Sequence, residues 1–336
     1  MKVLLVSPLG FAVNQATKYA GIERLVLSYA TELAKRHEVS VIGHADSVFP
    51  PSVTVYPYRP TTGEDMLFDS ELKAFQTYQS AFRKVDVIHD FSHGHLASRY
   101  MGKLPSLNIF WHDPVVQYPK APYNVIALSQ WAKVQFKRYY HQDSKVMQSI
   151  AIDPRIYKPL SKSRRGDRYL TIGRMAEEKG NLRALGLCME THQPLDICGG
   201  DSDPKYKEAI LRLCDGKQIR FLGEVTDEEK LRLMQTCKAL IYATTHAEVT
   251  NHKLQESMFC KSPVIVSNIG AAPEIVTHGV NGFLCNTHDD FIEAMDKCGD
   301  LLISKGYKDL LERYSIENVV QAYEPLYSEV ANGAKW

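Results

Sequence analysis

Short apolar runs alternate with helical patterns along both halves of the chain. Runs that are apolar on both faces, separated by amphipathic helices such as the one predicted at 22–36, are typical of a parallel sheet covered on both sides. The sequence therefore predicts an α/β fold. The strand candidates are residues 3–6, 39–42, 85–89, 107–111 and 124–128 in the first half, and 169–172, 195–198, 219–222, 239–242 and 264–266 in the second.

The length of the chain predicts two domains. With 336 residues it exceeds one ordinary core and fits two domains of about 150 residues each. Proline, serine and charged residues interrupt the apolar periodicity between residues 152–154 and 165–166. We therefore expect two doubly wound, Rossmann-like domains, residues 1–153 and 166–312, that face a central cleft.

Charge and cysteine content argue against several classes of function. Charged residues make up 24% of the chain and the formal net charge is +1, so no nucleic-acid partner is predicted. The seven cysteines include no Cys-x-x-Cys pair, and an odd count without a secretion signal favours a reducing cytoplasm. No apolar stretch approaches the roughly 20 residues that span a bilayer. A cytoplasmic protein is expected, soluble or peripheral at the inner face of the membrane.

Two glutamates are separated by seven residues in the second half. Glu248 falls in the loop after the predicted strand at 239–242, and Glu256 falls inside a short helix that is predicted to begin near Asn251. Ligands of open α/β sheets bind beyond the carboxyl ends of the strands. One loop and one helix are therefore expected to present two acids to one ligand.

A strand, a Gly-Arg turn and a Lys-Gly at a helix start occur upstream of the glutamates. Arg174 and Lys179 would lie near free backbone amides and the positive end of a helix dipole, which favours an anion such as a diphosphate. The alternative is that both cations form surface ion pairs with Glu177 and Glu178.

These segments, in their order along the chain, resemble the retaining glycosyltransferases of family GT4, which have the GT-B fold. The resemblance is carried by residues 170–180, Glu248, Glu256, residues 270–276 and residues 279–284. It extends to residues 1–8 and 20–24, which are similar to the family's first strand, loop and helix, and to residues 314–320, which are similar to its closing helix. The first domain would then bind an acceptor and the second a nucleotide sugar, with residues 313–336 packing back toward the first domain.

The resemblance also implies an activity. A hexose or N-acetylhexosamine would move, with retention and without a metal, from a nucleotide sugar to a glycan, lipid-linked or small-molecule hydroxyl. A UDP-sugar is favoured because UDP donors are common, and GDP-mannose comes next. No cofactor other than this co-substrate is expected.

Matching positions receive roles from the resemblance. Glu256 would bind a ribose diol and Glu248 the transferred sugar; the alternative for Glu256 is helix capping or an ion pair with Lys253 or Lys261. His112, after the strand at 107–111, would contact the donor, although a lone histidine is more often structural or exposed. The catalytic candidates are Glu248, His112, Arg174 and Lys179, and the donor contacts are Gly173, Arg174, Lys179, Gly199, Val225, Asn251, His252, Lys253, Leu254 and Glu256.

One segment departs from the family's pattern. Residues 249–253, Val-Thr-Asn-His-Lys, stand where the family has Gly-Phe-Gly-Leu-Pro. Glycines there let the backbone approach sugar and phosphate closely, so the shape of the sugar pocket does not carry over. Lys253 would lie at the positive end of a helix dipole, which is unfavourable unless an anionic ligand binds there.

The first domain has candidates at the ends of its predicted strands. Gly21 and Glu23 open a helix after a long loop that is expected to border both substrates. His89, Asp90 and His93 are assigned to a strand-end loop that lines the acceptor pocket. A metal site is the alternative for these histidines, but their spacing matches no zinc pattern.

Two further patterns have competing interpretations. Residues 201–203, Asp-Ser-Asp, mimic the Asp-x-Asp metal motif of the other main glycosyltransferase fold, but they follow a strand and glycine turn and are predicted to be a loop. The aromatic and basic helix at 131–140 is predicted to pack on its own sheet, and a membrane-surface helix is the alternative.

Two other functions compete with sugar transfer. A sugar-nucleotide epimerase of the same architecture would release or convert the nucleotide sugar without modifying an acceptor. A dinucleotide-dependent oxidoreductase is suggested only by the fold class, and no strand is followed by Gly-x-Gly-x-x-Gly at a helix start.

Overall fold

The chain forms two compact units. The computed structural model describes residues 1–14, 17, 20–61, 69–100, 104–111, 121–160, 165–301 and 303–336. The first unit comprises Met1–Ala151 together with Tyr314–Trp336, and the second comprises Ile152–Arg313. The segment after residue 313 therefore belongs to the first unit, although it follows the second in sequence.

The first unit is built on a parallel sheet of seven strands in the order β3-β2-β1-β4-β5-β6-β7. The order reverses between β1 and β4, which creates the switch point where ligands of doubly wound sheets bind. The strands are β1 Lys2–Val6, β2 Glu38–His44, β3 Val53–Tyr58, β4 Val87–Asp90, β5 Ser106–Phe110, β6 Val125–Ala127 and β7 Lys145–Val146. The helices are α1 Gly21–Leu33, α2 Asp69–Thr77, α3 Gln79–Phe82, α4 Leu96–Tyr100, α5 Gln130–Tyr140 and, at the end of the chain, α13 Ile316–Ala331.

The second unit repeats this architecture with six parallel strands in the order β10-β9-β8-β11-β12-β13. Its switch point lies between β8 and β11, so the loops after those two strands open side by side. The strands are β8 Tyr169–Ile172, β9 Leu195–Cys198, β10 Ile219–Gly223, β11 Leu240–Tyr242, β12 Val264–Ser267 and β13 Gly282–Cys285. The helices are α6 Asn181–Glu190, α7 Pro204–Leu213, α8 Asp227–Thr236, α9 His252–Phe259, α10 Ala272–Ile275, α11 His288–Lys297 and α12 Tyr307–Tyr314, with 3-10 turns at Glu177–Lys179, Cys298–Asp300 and Ile303–Lys305.

Both sheets are buried on their two faces, as the continuous apolar runs predict. Every residue of β4, β5, β8, β9 and β12 is buried. Leu4 and Ile88 in the first sheet and Ile197 and Ile265 in the second are fully buried. The predicted α/β class with two doubly wound sheets is therefore confirmed.

Three strands at the edges of the sheets, β3, β7 and β13, were not predicted. The strand β3 is an edge strand with only one buried residue, and it contains Pro57, which an edge strand tolerates. The strand β7 is also at an edge and has two residues. The strand β13 begins with Gly282, whose added Cβ would lie 2.4 Å from the Val264 carbonyl oxygen of β12. These strands form because their backbones pair with a neighbouring strand, and a local sequence pattern does not predict such pairing.

The basic and aromatic helix α5 packs on its own sheet through Ala132 and Phe136, as predicted. Phe136 lies in a cluster with Phe110 and Val125, while Val134 is exposed. Nowhere in the described part of the chain is a helix both long enough and apolar enough to cross a bilayer.

A buried polar network ties helix α13 to the first sheet. The Nδ1 atom of His89 lies 2.8 Å from the Tyr327 hydroxyl, and burial lowers the pKa of His89 to about 3, so the imidazole is neutral near pH 7. The Tyr323 hydroxyl contacts the Ser149 hydroxyl, and Tyr29 donates to the Ser149 carbonyl at 2.9 Å. Because these groups are buried, each needs its partner to offset the loss of water.

We expect the variant Tyr327→Phe to lower the free energy of unfolding by about 1–3 kcal/mol, because it removes the hydrogen-bonding partner of the buried His89 ring. Urea denaturation monitored by circular dichroism measures this loss. The control Tyr139→Phe alters an exposed tyrosine and should stay within about 0.5 kcal/mol of wild type. Equal stability of both variants would contradict a structural role for the network.

Candidate functional site

Two glycines bring together the loops that follow β8, β9 and β11. Gly199 has a φ of +152°, and a Cβ there would lie 1.8 Å from the carbonyl oxygen of Gly173. Gly180 has a φ of +71°, and its Cβ would lie 2.0 Å from the carbonyl oxygen of Ala243. Side chains are excluded at both positions. The turn that carries Lys179 therefore lies against the end of β11.

Glu248 accepts hydrogen bonds from three residues. Lys179 Nζ lies 2.5 Å and the Tyr242 hydroxyl 2.8 Å from Oε1, while Asn251 Nδ2 donates to Oε2 at 2.6 Å. Burial opposes ionisation, but Lys253, Lys179 and these hydrogen bonds hold the pKa of Glu248 below its ordinary value. Glu248 is thus an ionised carboxylate in a fixed orientation.

Glu256 has a similar pair of partners on one oxygen. The Tyr157 hydroxyl and Lys230 Nζ lie 2.7 and 2.9 Å from Oε1. Burial raises the pKa of Glu256, yet Lys230 and the two hydrogen bonds outweigh this effect and lower it overall. The alternative that Glu256 pairs with Lys253 or Lys261 was wrong, because the ion-pair partner is Lys230. Oε2 accepts no hydrogen bond within the described residues, so one oxygen rather than two is open to a ligand.

The helix α9 begins where the sequence predicts. The Asn251 side chain caps it by accepting from the backbone N–H of Lys253 at 3.2 Å. Lys253 Nζ lies 5.0 Å from the centre of the Tyr242 ring and forms no direct ion pair with a carboxylate in the described part of the chain. Burial lowers the pKa of Lys253 to about 8, despite the nearby Glu248 carboxylate. A buried ammonium group, near the Glu248 carboxylate but in direct contact with no carboxylate of the described residues, thus lies at the start of a helix.

The two cations upstream of the glutamates have different environments. Arg174 is half-exposed, donates to the Ser202 hydroxyl at 3.1 Å and lies 3.5 Å from Glu178. The alternative of surface ion pairs with Glu177 and Glu178 therefore holds in part for Arg174, which lies near Glu178. It does not hold for Lys179, which pairs with Glu248.

Residues 201–203 lie in the loop between β9 and α7, as predicted. Asp203 caps α7 by accepting from the backbone N–H groups of Lys205 and Tyr206, and Asp201 pairs with Lys207 at 2.8 Å. Both carboxylates have local structural partners.

The remaining candidates for donor contacts, Val225, His252 and Leu254, differ in position and burial. Val225 lies in the loop between β10 and α8. His252 occupies the first position of α9, where burial lowers its pKa to about 4, so it is neutral near pH 7. The Leu254 side chain is fully buried, so only the backbone of Leu254 is available for the predicted donor contact.

Buried carboxyl groups lie in the first unit. Glu23 is in the first turn of α1, which begins at Gly21, and burial raises the pKa of Glu23 to about 7. Asp90 ends β4, accepts from the Ser92 backbone N–H at 2.9 Å and hydroxyl at 2.5 Å, and has a pKa raised by burial to about 7. Glu71, whose pKa burial raises well above its ordinary value, accepts from the backbone N–H groups of residues 93 and 94.

The structure changes the interpretation of the histidines. His89 lies inside β4 and contacts Tyr327, so its assignment to an acceptor loop was wrong. His93 is half-buried in the loop after β4, and its backbone N–H donates to Glu71 at 2.9 Å. His112 lies outside the described residues.

Four residues that the sequence did not identify contact either Glu248 and Glu256 or the loop after β4. Tyr242 falls in an apolar strand pattern and Lys230 on a charged helix, so each has an ordinary structural explanation in the sequence. Tyr157 and Glu71 belong to no motif. Only spatial proximity to Glu248, Glu256 and the loop after β4 distinguishes them.

The part of the chain that contains Glu248 and Glu256 is similar to a known protein family. Residues 155–315 match the model of the family described as glycosyl transferases group 1. A segment of 124 residues, 35% of this chain, is 28% identical to a probable sucrose-phosphate synthase of Thermosipho melanesiensis. That alignment spans 29% of the relative's length, so less than a third of the relative is represented.

Solved structures resemble nearly the entire chain. The crystal structure of AviGT4, a glycosyltransferase involved in avilamycin A biosynthesis, has a TM-score of 0.78 at 21% identity and covers 100% of this chain and 99% of its own. Anabaena HepE in complex with UDP-glucose has a TM-score of 0.73 at 18% identity and covers 98% of this chain and 100% of its own. The predicted GT-B fold and the resemblance to glycosyltransferases are confirmed.

We expect Lys253 to lose its proton near pH 8, because burial disfavours the ammonium form, whereas exposed lysines stay protonated to about pH 10. Reductive methylation with a carbon-13 label and an NMR titration measure this pKa, and the variant Lys253→Arg assigns the signal. Titration of Lys253 together with the surface lysines would contradict the buried environment.

Proposed function

We propose that this chain is a retaining, metal-independent glycosyltransferase that uses a nucleotide sugar as donor. This proposal rests chiefly on the arrangement of Glu248 and Glu256, both ionised, beside a helix start whose first turn carries the buried ammonium group of Lys253. The match of residues 155–315 to glycosyl transferases group 1 supports this assignment, since it includes the entire arrangement.

The diphosphate is proposed to bind at the start of α9. Backbone amides and the helix dipole attract an anion there, and Lys253 adds a positive charge on the first turn. Arg174 and Lys179 approach from the loop after β8. These cations replace the metal ion that neutralises the diphosphate in other transferases.

The two glutamates are proposed to hold the neutral parts of the donor. Glu248 has one lone pair left on Oε2 beside the bond from Asn251, which suits a single hydroxyl of the transferred sugar. Glu256 has Oε2 available, which suits the adjacent hydroxyls of a ribose. Neither carboxylate is assigned as a covalent nucleophile.

In the proposed reaction the bond between the anomeric carbon and the phosphate oxygen breaks, and its electron pair stays on the leaving diphosphate. The acceptor hydroxyl forms the new bond on the same face of the sugar and transfers its proton to the leaving phosphate. Arg174, Lys179 and Lys253 stabilise the charge that grows on the diphosphate, and only this increase accelerates the step.

A UDP-sugar is the favoured donor, and GDP-mannose is the second candidate. Anabaena HepE, which has a similar fold, was solved with UDP-glucose, and this supports the first choice. A glycan, lipid-linked or small-molecule hydroxyl is proposed as the acceptor, and the first unit is proposed to bind it.

We expect transfer from UDP-glucose or GDP-mannose to methyl glycosides to keep the anomeric configuration and to survive EDTA, because protein cations take the role of a metal. Chromatography of the products and NMR of the new linkage measure both properties. Loss of transfer in EDTA with recovery in manganese would contradict the metal-independent mechanism. Conversion of the donor without acceptor modification would instead indicate an epimerase.

We expect Glu256→Gln to weaken UDP binding about tenfold, because the ribose loses a charge-assisted hydrogen bond. Isothermal titration calorimetry measures the affinity. The matched control is Glu293→Gln, which alters an exposed glutamate on α11 and should leave the affinity unchanged. Unchanged binding by Glu256→Gln would remove Glu256 from the donor site.

A further inference from the structure

Oε1 of Glu256 is fully used by its protein partners. Lys230 Nζ at 2.9 Å and the Tyr157 hydroxyl at 2.7 Å supply one donor for each of its two lone pairs. Oε2 accepts no hydrogen bond from the described residues. The carboxylate is therefore held from one side and open on the other.

We infer that Lys230 and Tyr157 are positioning residues that fix Glu256 so that Oε2 faces the vicinal diol of the donor's ribose. This inference rests on the proposed function and deepens it, because it assigns roles to two residues that touch Glu256 and not the reacting atoms. Without them the carboxylate would rotate about its side-chain bonds, and binding would have to restrict that motion.

The placement of Lys230 differs from that of a surface lysine. Its side chain is 18% exposed, compared with 57% for Lys297, and it lies 5.4 Å from the centre of the Tyr157 ring. Lys230 also approaches Asp227, but at 3.7 Å and toward a carboxylate that is 47% exposed. Its shorter and more buried contact is with Glu256.

Local structure fixes both partners. The helix α8 begins with a capping box in which the Thr226 hydroxyl accepts from the Glu229 backbone N–H and the Glu229 carboxylate accepts from the Thr226 backbone N–H. Lys230 follows directly, one turn into this helix. Tyr157 ends a turn in which its backbone N–H donates to the Asp153 carbonyl at 2.9 Å.

Charge gives this arrangement a pH signature. Burial favours the protonated acid, and Lys230 is the strongest of the groups that lower the pKa of Glu256. The other titratable groups that face Glu256 are Tyr157, His252 and Lys253 on α9, and Cys260 directly after this helix. Removing the Lys230 charge removes the strongest effect that lowers the pKa of Glu256. The pKa should therefore rise, and the carboxylate should take up a proton at a higher pH.

The test compares UDP binding to wild type, Lys230→Met, Tyr157→Phe and the control Lys297→Met by calorimetry between about pH 5.5 and 8.5. The ratio of each variant's dissociation constant to that of wild type cancels the titration of UDP itself. We expect this ratio for Lys230→Met to reach about ten at the acidic end and to fall as pH rises, because only ionised Glu256 accepts from the diol. Tyr157→Phe should show a smaller loss, and Lys297→Met none.

A second experiment measures UDP binding by the double variant Lys230→Met, Glu256→Gln. Compared with Glu256→Gln alone, the double variant should show no further pH-dependent loss of affinity, because the side chain through which Lys230 acts is then neutral. A ratio that is flat with pH, or unaltered binding by Lys230→Met, would overturn the positioning role while leaving the donor site intact. Failure of wild type to bind UDP, GDP or other nucleoside diphosphates would overturn the proposed function, and this inference with it.

Discussion

The site depends on the burial of two carboxylates, Glu248 and Glu256, beyond the carboxyl ends of the strands of the second sheet. A buried charge is costly unless a partner offsets its desolvation, so each glutamate is held by one lysine and one tyrosine on the same oxygen. These partners come from the loop after β8, the strand β11, the helix α8 and the segment before β8. The positions of the surrounding loops and helices are thereby coupled to the ionisation of Glu248 and Glu256.

Carboxyl groups in the two units have pKa values shifted in opposite directions. Burial is the dominant influence on Asp90 and Glu23 and raises the pKa of each to about 7. Glu248 and Glu256 are buried beside lysines, so the pKa of each is lowered. Neighbouring positive charge thus distinguishes the carboxylates that are ionised at neutral pH from the carboxyl groups whose pKa lies near 7.

The replacement of the family's glycines is consistent with this electrostatic arrangement. Asn251 both caps α9 and donates to Glu248, two roles that glycine has no side chain to perform. Lys253 supplies a cation where the pattern has proline, which carries no charge and no backbone N–H. The start of α9 in this chain thus carries a side-chain hydrogen bond to Glu248 and a positive charge, neither of which the Gly-Phe-Gly-Leu-Pro pattern would provide.

The sequence by itself determined the two parallel sheets, because apolar runs on both faces are stable only when helices cover both sides. It also determined the start of α9 at Asn251 and the place of Glu248 after β11, since caps and strand ends are local features. Only the tertiary structure assigned His89 to the core beside Tyr327, and brought Lys230 and Tyr157 to Glu256. Residues 157 and 256 are 99 positions apart, and no local pattern encodes a contact that depends on how separate helices and turns pack together.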